Sequence, residues 1–168
     1  MASSSPLPDF LCISEVDTGP FFASELFQRK FGGPPPAEPH HLVCFYRAPT
    51  TAMHVLCYAH FRPFGDIILV GGVCTNGDLL RQLPAAQREA VTAIGSLYLQ
   101  VLKYGFARFA DRCEAFFGYC GDARAEVVNL QAGFTKTTHQ HLLVNFHKPS
   151  HAVMQRALIA KAVAIGAF

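Results

Sequence analysis

The chain has 168 residues, 51% of them hydrophobic and 15% charged, with a formal net charge of +2. That length and apolar content fill the core of one domain and leave two full domains cramped, while the low charged fraction and an apolar final helix make a homodimer the expected assembly. The small net charge, with no long Lys/Arg run, offers no stripe to neutralise a phosphate backbone, so nucleic acid is excluded as a partner.

Residues 1–9 read as a loose tail without the charged and apolar regions of a secretory signal. The apolar run at 10–13 fits an opening strand. Pro20 suits the first position of a helix in which Phe22/Leu26 and Phe27/Phe31 recur at i, i+4. Residues 32–39, rich in Gly and Pro, form a stiff linker within the domain rather than between two domains. Residues 42–47 and 53–61 read as an antiparallel hairpin joined by the turn-like segment 48–51.

Residues 67–73 form a continuous apolar run, fit for a central strand covered on both faces, with Gly71 and Gly72 marking a bulge or a close backbone approach. At 67–74 the longest such run is far below the ~20 residues that span a bilayer, so no membrane partner is expected. From Pro84 a long amphipathic helix is expected to bury Ile94, Leu97 and Val101 in one stripe with Val91, Tyr98 and Leu102. Residues 114–120 are the next strand. Asp122 is the N-cap of a helix over 123–132 that ends at a left-handed Gly133. A strand over 140–147 and a last helix follow, capped by Ser150 and lined by Val153, Ala157, Leu158, Ala162 and Ile165.

Six cysteines lack C-x-x-C spacing and lie mostly in apolar runs, the pattern of buried free thiols in a reducing compartment; a cytoplasmic protein is expected. His139, His141, Asn145 and His147 alternate along one predicted strand face. A flat row does not converge as zinc ligands must, so no metal site is expected, and His40-His41 and His54/His60 have no metal spacing either. Cys120 has no evident His partner and reads as a small core residue.

The element order, and the segment Asp122-Ala123-Arg124-Ala125-Glu126-Val127-Val128-Asn129-Leu130-Gln131-Ala132-Gly133-Phe134 in particular, resembles the GNAT family of acyl-CoA-dependent N-acyltransferases. Ala125, Gly133 and Phe134 keep their places in the family's N-x-x-A-x-x-L-Y-x-x-x-G-F pattern. Asp122, Val128 and Asn129 replace its Asn, Leu and Tyr. Arg81 or Gln82 can begin the family's Q/R-x-x-G-x-G/A loop, but neither register supplies its glycines; counted from Arg81, those positions fall on Pro84 and Ala86.

The resemblance implies a GNAT-like α/β fold, a mixed central sheet flanked by helices in a single domain over 1–168. It also implies acetyl-CoA or another acyl-CoA as co-substrate, and a small-molecule amine as acceptor. The acyl-CoA would lie between strands 67–74 and 114–120, against Val73 and Cys74, whose neighbouring strand-edge N–H groups polarise the thioester. Arg81 and Gln82 would hold the pyrophosphate, and Asn129 would stand where the family's Tyr meets the cofactor. Tyr119 as proton donor and Glu114 as base through a water are the catalytic candidates. The alternatives are a non-enzymatic family-like protein whose cleft is filled by side chains or binds another small acid, and an oligomeric interaction module.

Overall fold

The β-branched and aromatic runs do become strands, and the computed structural model, which describes residues 6–50 and 52–168, joins them in one seven-stranded sheet of order β1-β2-β3-β4-β5-β7-β6. Residues 1–5 of the expected tail, and Thr51 of the expected turn, lie outside the described residues. The strands are β1 Leu11–Val16, β2 His41–Arg47, β3 Met53–Phe64, β4 Ile67–Thr75, β5 Ala115–Tyr119, β6 Thr135–Lys136 and β7 Leu142–Asn145. The helices are α1 Gly19–Phe31, α2 Gly77–Gln82, α3 Ala85–Ala93, α4 Leu97–Phe109, α5 Ala123–Gln131 and α6 Ala152–Ile165. Pairs β1–β2, β2–β3, β5–β7 and β6–β7 are antiparallel, and β4–β5 is parallel. A parallel pair needs a long crossover, here supplied by α2 to α4. Among the described residues no helix is long and apolar enough to cross a membrane.

The described residues divide into two compact units. The first holds everything up to His60 together with Gly72–Tyr104; the second holds Phe61–Gly71 and Gly105–Phe168. In the first, Ala23, Leu26 and Phe27 of α1 cluster with Val43, Phe45, Tyr58 and Cys74. Pro20 opens α1 as expected, and Gly32, at φ 74, closes it with the left-handed turn that glycine adopts without steric cost. Gly72 combines a φ of 58 with a close approach, since a Cβ there would stand 2.9 Å from the Phe27 ring.

In the second unit Ile67, Leu69, Ala115, Phe117, Leu142 and Val144 form one sheet face, closed by Leu158 and Ala162 of α6. Phe61, Phe106 and Phe116 mesh in a separate aromatic group with Phe109 and Phe134. Asp122 caps α5 by accepting from Arg124 N (2.8 Å) and Ala125 N (3.1 Å), as its sequence position implies. Gly133, at φ 106, turns the chain so that the Phe134 ring meets Phe106 at 5.3 Å; a Cβ on Gly118 would lie 3.6 Å from that ring. The Gly-Phe end of the family-like segment is therefore a packing device.

Four expectations are corrected. The single long helix from Pro84 is two helices, because Gly95 takes a φ of 94 and Ser96 starts a new one by accepting from Leu99 N at 3.1 Å. The apolar stripe survives the break, with Ile94, Leu97 and Val101 buried. The strand expected over 140–147 shrinks to Leu142–Asn145, since His141 has a φ of 65, outside strand geometry. His139 and His141 therefore precede the strand, and the expected histidine row does not form. His151 rather than Ser150 occupies the cap position of α6, and Ser150 instead accepts from Gln155 Nε2. On α6 only Leu158 and Ala162 of the expected stripe are buried, whereas Val153 is 70% exposed.

A buried aromatic-histidine stack sits in the first unit. His41 and His60 face each other across β2 and β3, 5.1 Å apart, and His41 also stacks on Tyr58 and shares a 2.8 Å hydrogen bond with its hydroxyl. Burial lowers the pKa of His41, reinforced by His60 and His40 and opposed by Glu38 and Asp17. With the folded pKa lowered, the unfolded chain takes up the proton first as pH falls below 6.5, the ordinary value. The His41 contribution to stability is therefore complete above that pH and shrinks as pH drops toward the folded value. Urea midpoints are expected to fall between pH 7.5 and pH 5.5, and His41→Gln is expected to flatten that slope; an unchanged slope would assign it to other groups.

Candidate functional site

The glycines of β4 lead to the site in the second unit. Pairing of β4 with β5 runs from Ile67↔Ala115 to Val70↔Gly118, after which β4 continues to Thr75 while β5 ends at Tyr119. Where two parallel strands part, backbone groups on the facing edges lose their ladder partners and become available to a ligand. Gly71 stands at that point. A Cβ on it would lie 3.4 Å from the main-chain oxygen of Phe168, an ordinary van der Waals contact that sets Phe168 beside the point of parting. Tyr119, 38% exposed, meets the Phe168 ring at 6.1 Å and the His141 ring at 5.8 Å, both edge-on. Phe168 reaches this place because the chain turns at Gly166, which closes α6 with a φ of 83.

The two catalytic candidates do not come together. Glu114 lies just before β5 and Tyr119 at its far end, and five residues of strand separate them by ~16 Å. Glu114 N donates to Asp66 O at 2.7 Å, and its carboxylate accepts from Lys148 Nζ at 3.5 Å, a half-exposed pair. Asn129 is buried on α5, and its main-chain oxygen accepts from Ala132 N and Phe134 N, closing the helix.

Of the candidates in the first unit, Val73 is partly buried, and Cys74 is fully buried with its thiol donating to Gly72 O at 3.4 Å. Burial pushes the Cys74 thiol up to about 12, so it is no nucleophile at neutral pH. The loop that was to carry the pyrophosphate is largely helix. Asn76 caps α2 by accepting from Leu79 N, and Arg81 and Gln82 sit exposed on its last turn, with Arg81 paired to Asp78.

A pocket of about 310 Å³ opens beside α2, and it contains neither Arg81 nor Gln82. Leu26, Arg29 and Lys30 of α1 form one wall, and Thr75, Asn76, Gly77 and Asp78 the other. Arg29 Nη1 donates to Asp78 Oδ2 at 3.3 Å. Reading along the sequence, Arg29 and Lys30 are the basic last turn that any helix C-terminus favours. Only tertiary packing sets them across from Thr75.

No family model and no curated protein sequence matches the chain. Among solved structures, one from Pyrococcus horikoshii described as a "Putative Acetyltransferase" matches with a TM-score of 0.54 at 6% identity, over 82% of this chain and 47% of that one. The ribosomal-protein-S18-alanine N-acetyltransferase from Escherichia coli matches with a TM-score of 0.48 at 13% identity, over 84% of this chain and 97% of that one. The chain thus spans about half the length of the Pyrococcus protein. At such identity the first likeness speaks for the fold alone. The mixed seven-stranded sheet flanked by helices is a GNAT-like α/β fold.

Proposed function

We propose that the chain is an acyl-CoA-dependent N-acyltransferase acting on an amine. The observation that carries this reading is the parting of β4 and β5 after Val70↔Gly118, in a fold shared with a structure described as an acetyltransferase. In the reaction the amine nitrogen attacks the thioester carbonyl, the C–S bond breaks, the departing thiolate takes a proton, and the nitrogen gives up one to solvent, from which the proton donor is restored. Tyr119 is the donor in this reading, supported by its partly exposed ring at the end of β5.

A second reading has an observation of its own. Phe168 sets its main-chain oxygen beside Gly71 and its ring against Tyr119, which fits a protein whose cleft is filled by its own chain, the ring covering Tyr119. Calorimetry with acetyl-CoA separates the two. Wild type is expected to bind in the sub-millimolar range, and Tyr119→Phe to slow acetylation of a screened amine by about tenfold or more without loss of binding. Heat from Phe168→Ala but not from wild type would favour the closed cleft. No heat from either protein would reject acyl-CoA.

A further inference from the structure

We propose that the pocket between the last turn of α1 and the end of β4 binds the phosphate group of a small molecule. Three features of the first unit point there. The pocket has room for a compact ligand, at about 310 Å³, which lies at the lower end of small-molecule sites. Its lining is cationic, with the Arg29 guanidinium and the Lys30 ammonium against one carboxylate, that of Asp78. A guanidinium supplies a fork of N–H donors and an ammonium a compact charge, a combination suited to a dianion.

Lys30 is exposed, and its ammonium stands 5.7 Å over the Phe31 ring at the rim of the pocket that it lines, so it can swing toward an anion without breaking an ion pair. The Thr75 hydroxyl donates only to Cys57 Sγ at 3.5 Å, a weak acceptor that a phosphate oxygen readily replaces.

Asp78 gives the site its distinctive property. Its carboxylate engages both Arg29 and Arg81, so it is an internal counter-ion that an incoming anion must displace. Arg29 otherwise has the Asp78 carboxylate at 3.3 Å and the largely exposed Glu25 carboxylate at 4.0 Å, and a phosphate dianion gathers as much charge on one compact group with more acceptor oxygens. Because Arg29 and Asp78 are half exposed or more, solvent and salt weaken the whole arrangement, and binding is therefore modest and salt-sensitive.

The phosphate has two sources, a free phosphorylated metabolite or the phosphates of a coenzyme, and only the second rests on the acyltransfer reading. The test is calorimetry on the full chain with inorganic pyrophosphate at low salt. Wild type is expected to bind, the Arg29→Ala/Lys30→Ala double variant to bind at least tenfold more weakly, and Asp78→Asn to bind several-fold more tightly because the competing carboxylate is gone. All three side chains are exposed enough for the variants to fold, which their unfolding curves check. Competition by coenzyme A supports the site and assigns the phosphate to the coenzyme. Pyrophosphate binding without such competition supports the site for a free metabolite, even if acetyl-CoA fails to bind and acyl transfer is rejected. No binding at about 10 mM pyrophosphate, or equal binding by wild type and the double variant, overturns the proposal.

Discussion

Phe116→Ala is expected to lower the unfolding free energy by ~3–5 kcal/mol, the range for truncating a fully buried aromatic side chain. Phe116 is 0% exposed. Its ring lies 4.7 Å from Phe106, 4.9 Å from His147 and 6.3 Å from Phe61. Aromatic pairs at such separations contribute beyond the area they bury. The neighbours are poorly able to close the cavity, because Phe61 and Phe109 are themselves fully buried and the His147 imidazole is tied to Ala110 O at 2.8 Å. Phe116→Leu, which keeps most of the volume, is expected to cost less than half as much. Urea melts with an unchanged m-value decide the matter. A loss under about 1 kcal/mol for the alanine variant would mean that the cluster collapses onto the gap.

Gly19→Ala is expected to destabilise the protein by about 3 kcal/mol, the upper end of ordinary overpacking. A Cβ on Gly19 would stand 2.1 Å from both Cγ and Nδ1 of His41. The ring cannot step aside. It is fully buried, held between Tyr58 and His60, and bonded to the Tyr58 hydroxyl. The first turn of α1 must therefore lift from β2, and Ala23 and Leu26, which pack beyond it, lose contact as it does. The double variant Gly19→Ala/His41→Ala is the control: with the ring gone, the added methyl should cost little, giving a favourable coupling of about 1 kcal/mol or more, the size expected for residues in contact. Additive losses would place the strain in the backbone of α1 and not against the ring.

The strands and α5 were legible because their signals are local. β-branched and aromatic runs mark β2, β3 and β4, and Asp122 with Gly133 brackets α5 with residues whose side chain or conformation closes a helix end. The break between α3 and α4 was hidden by the very periodicity that identified the helix. Ile94, Leu97 and Val101 keep their spacing across it, and one glycine inside a helix costs only ~1 kcal/mol, so Gly95 alone does not announce a stop. The signal that does announce it is Gly95 followed by Ser96, a turn residue before a cap. α2 had a comparable mark in Asn76, the cap preceding Leu79 and Leu80.

The site was less legible, for reasons that are tertiary. The meeting of His41 with His60 depends on a register that shifts between Cys44 and Phe45, and no alternation pattern encodes that shift. The approach of Phe168 to Gly71 joins residues nearly a hundred positions apart. Arg29 and Lys30 look along the chain like a solvated helix end, and only the folded chain sets them opposite Thr75 and Asp78.

The thiols give the molecule a built-in reporter of its own opening. Cys44, Cys57, Cys74 and Cys113 are buried, with thiols pushed up to about 11 or 12, while Cys12 is exposed and Cys120 partly so. A maleimide added to the native protein thus meets a fast class and a slow class of sulfur. The slow class is spread through β2, β3, β4 and the turn before β5, so its modification rate measures how often each of those segments breathes. The fluctuations of the sheet are in this way written into chemistry that the chain already carries, one sulfur at a time.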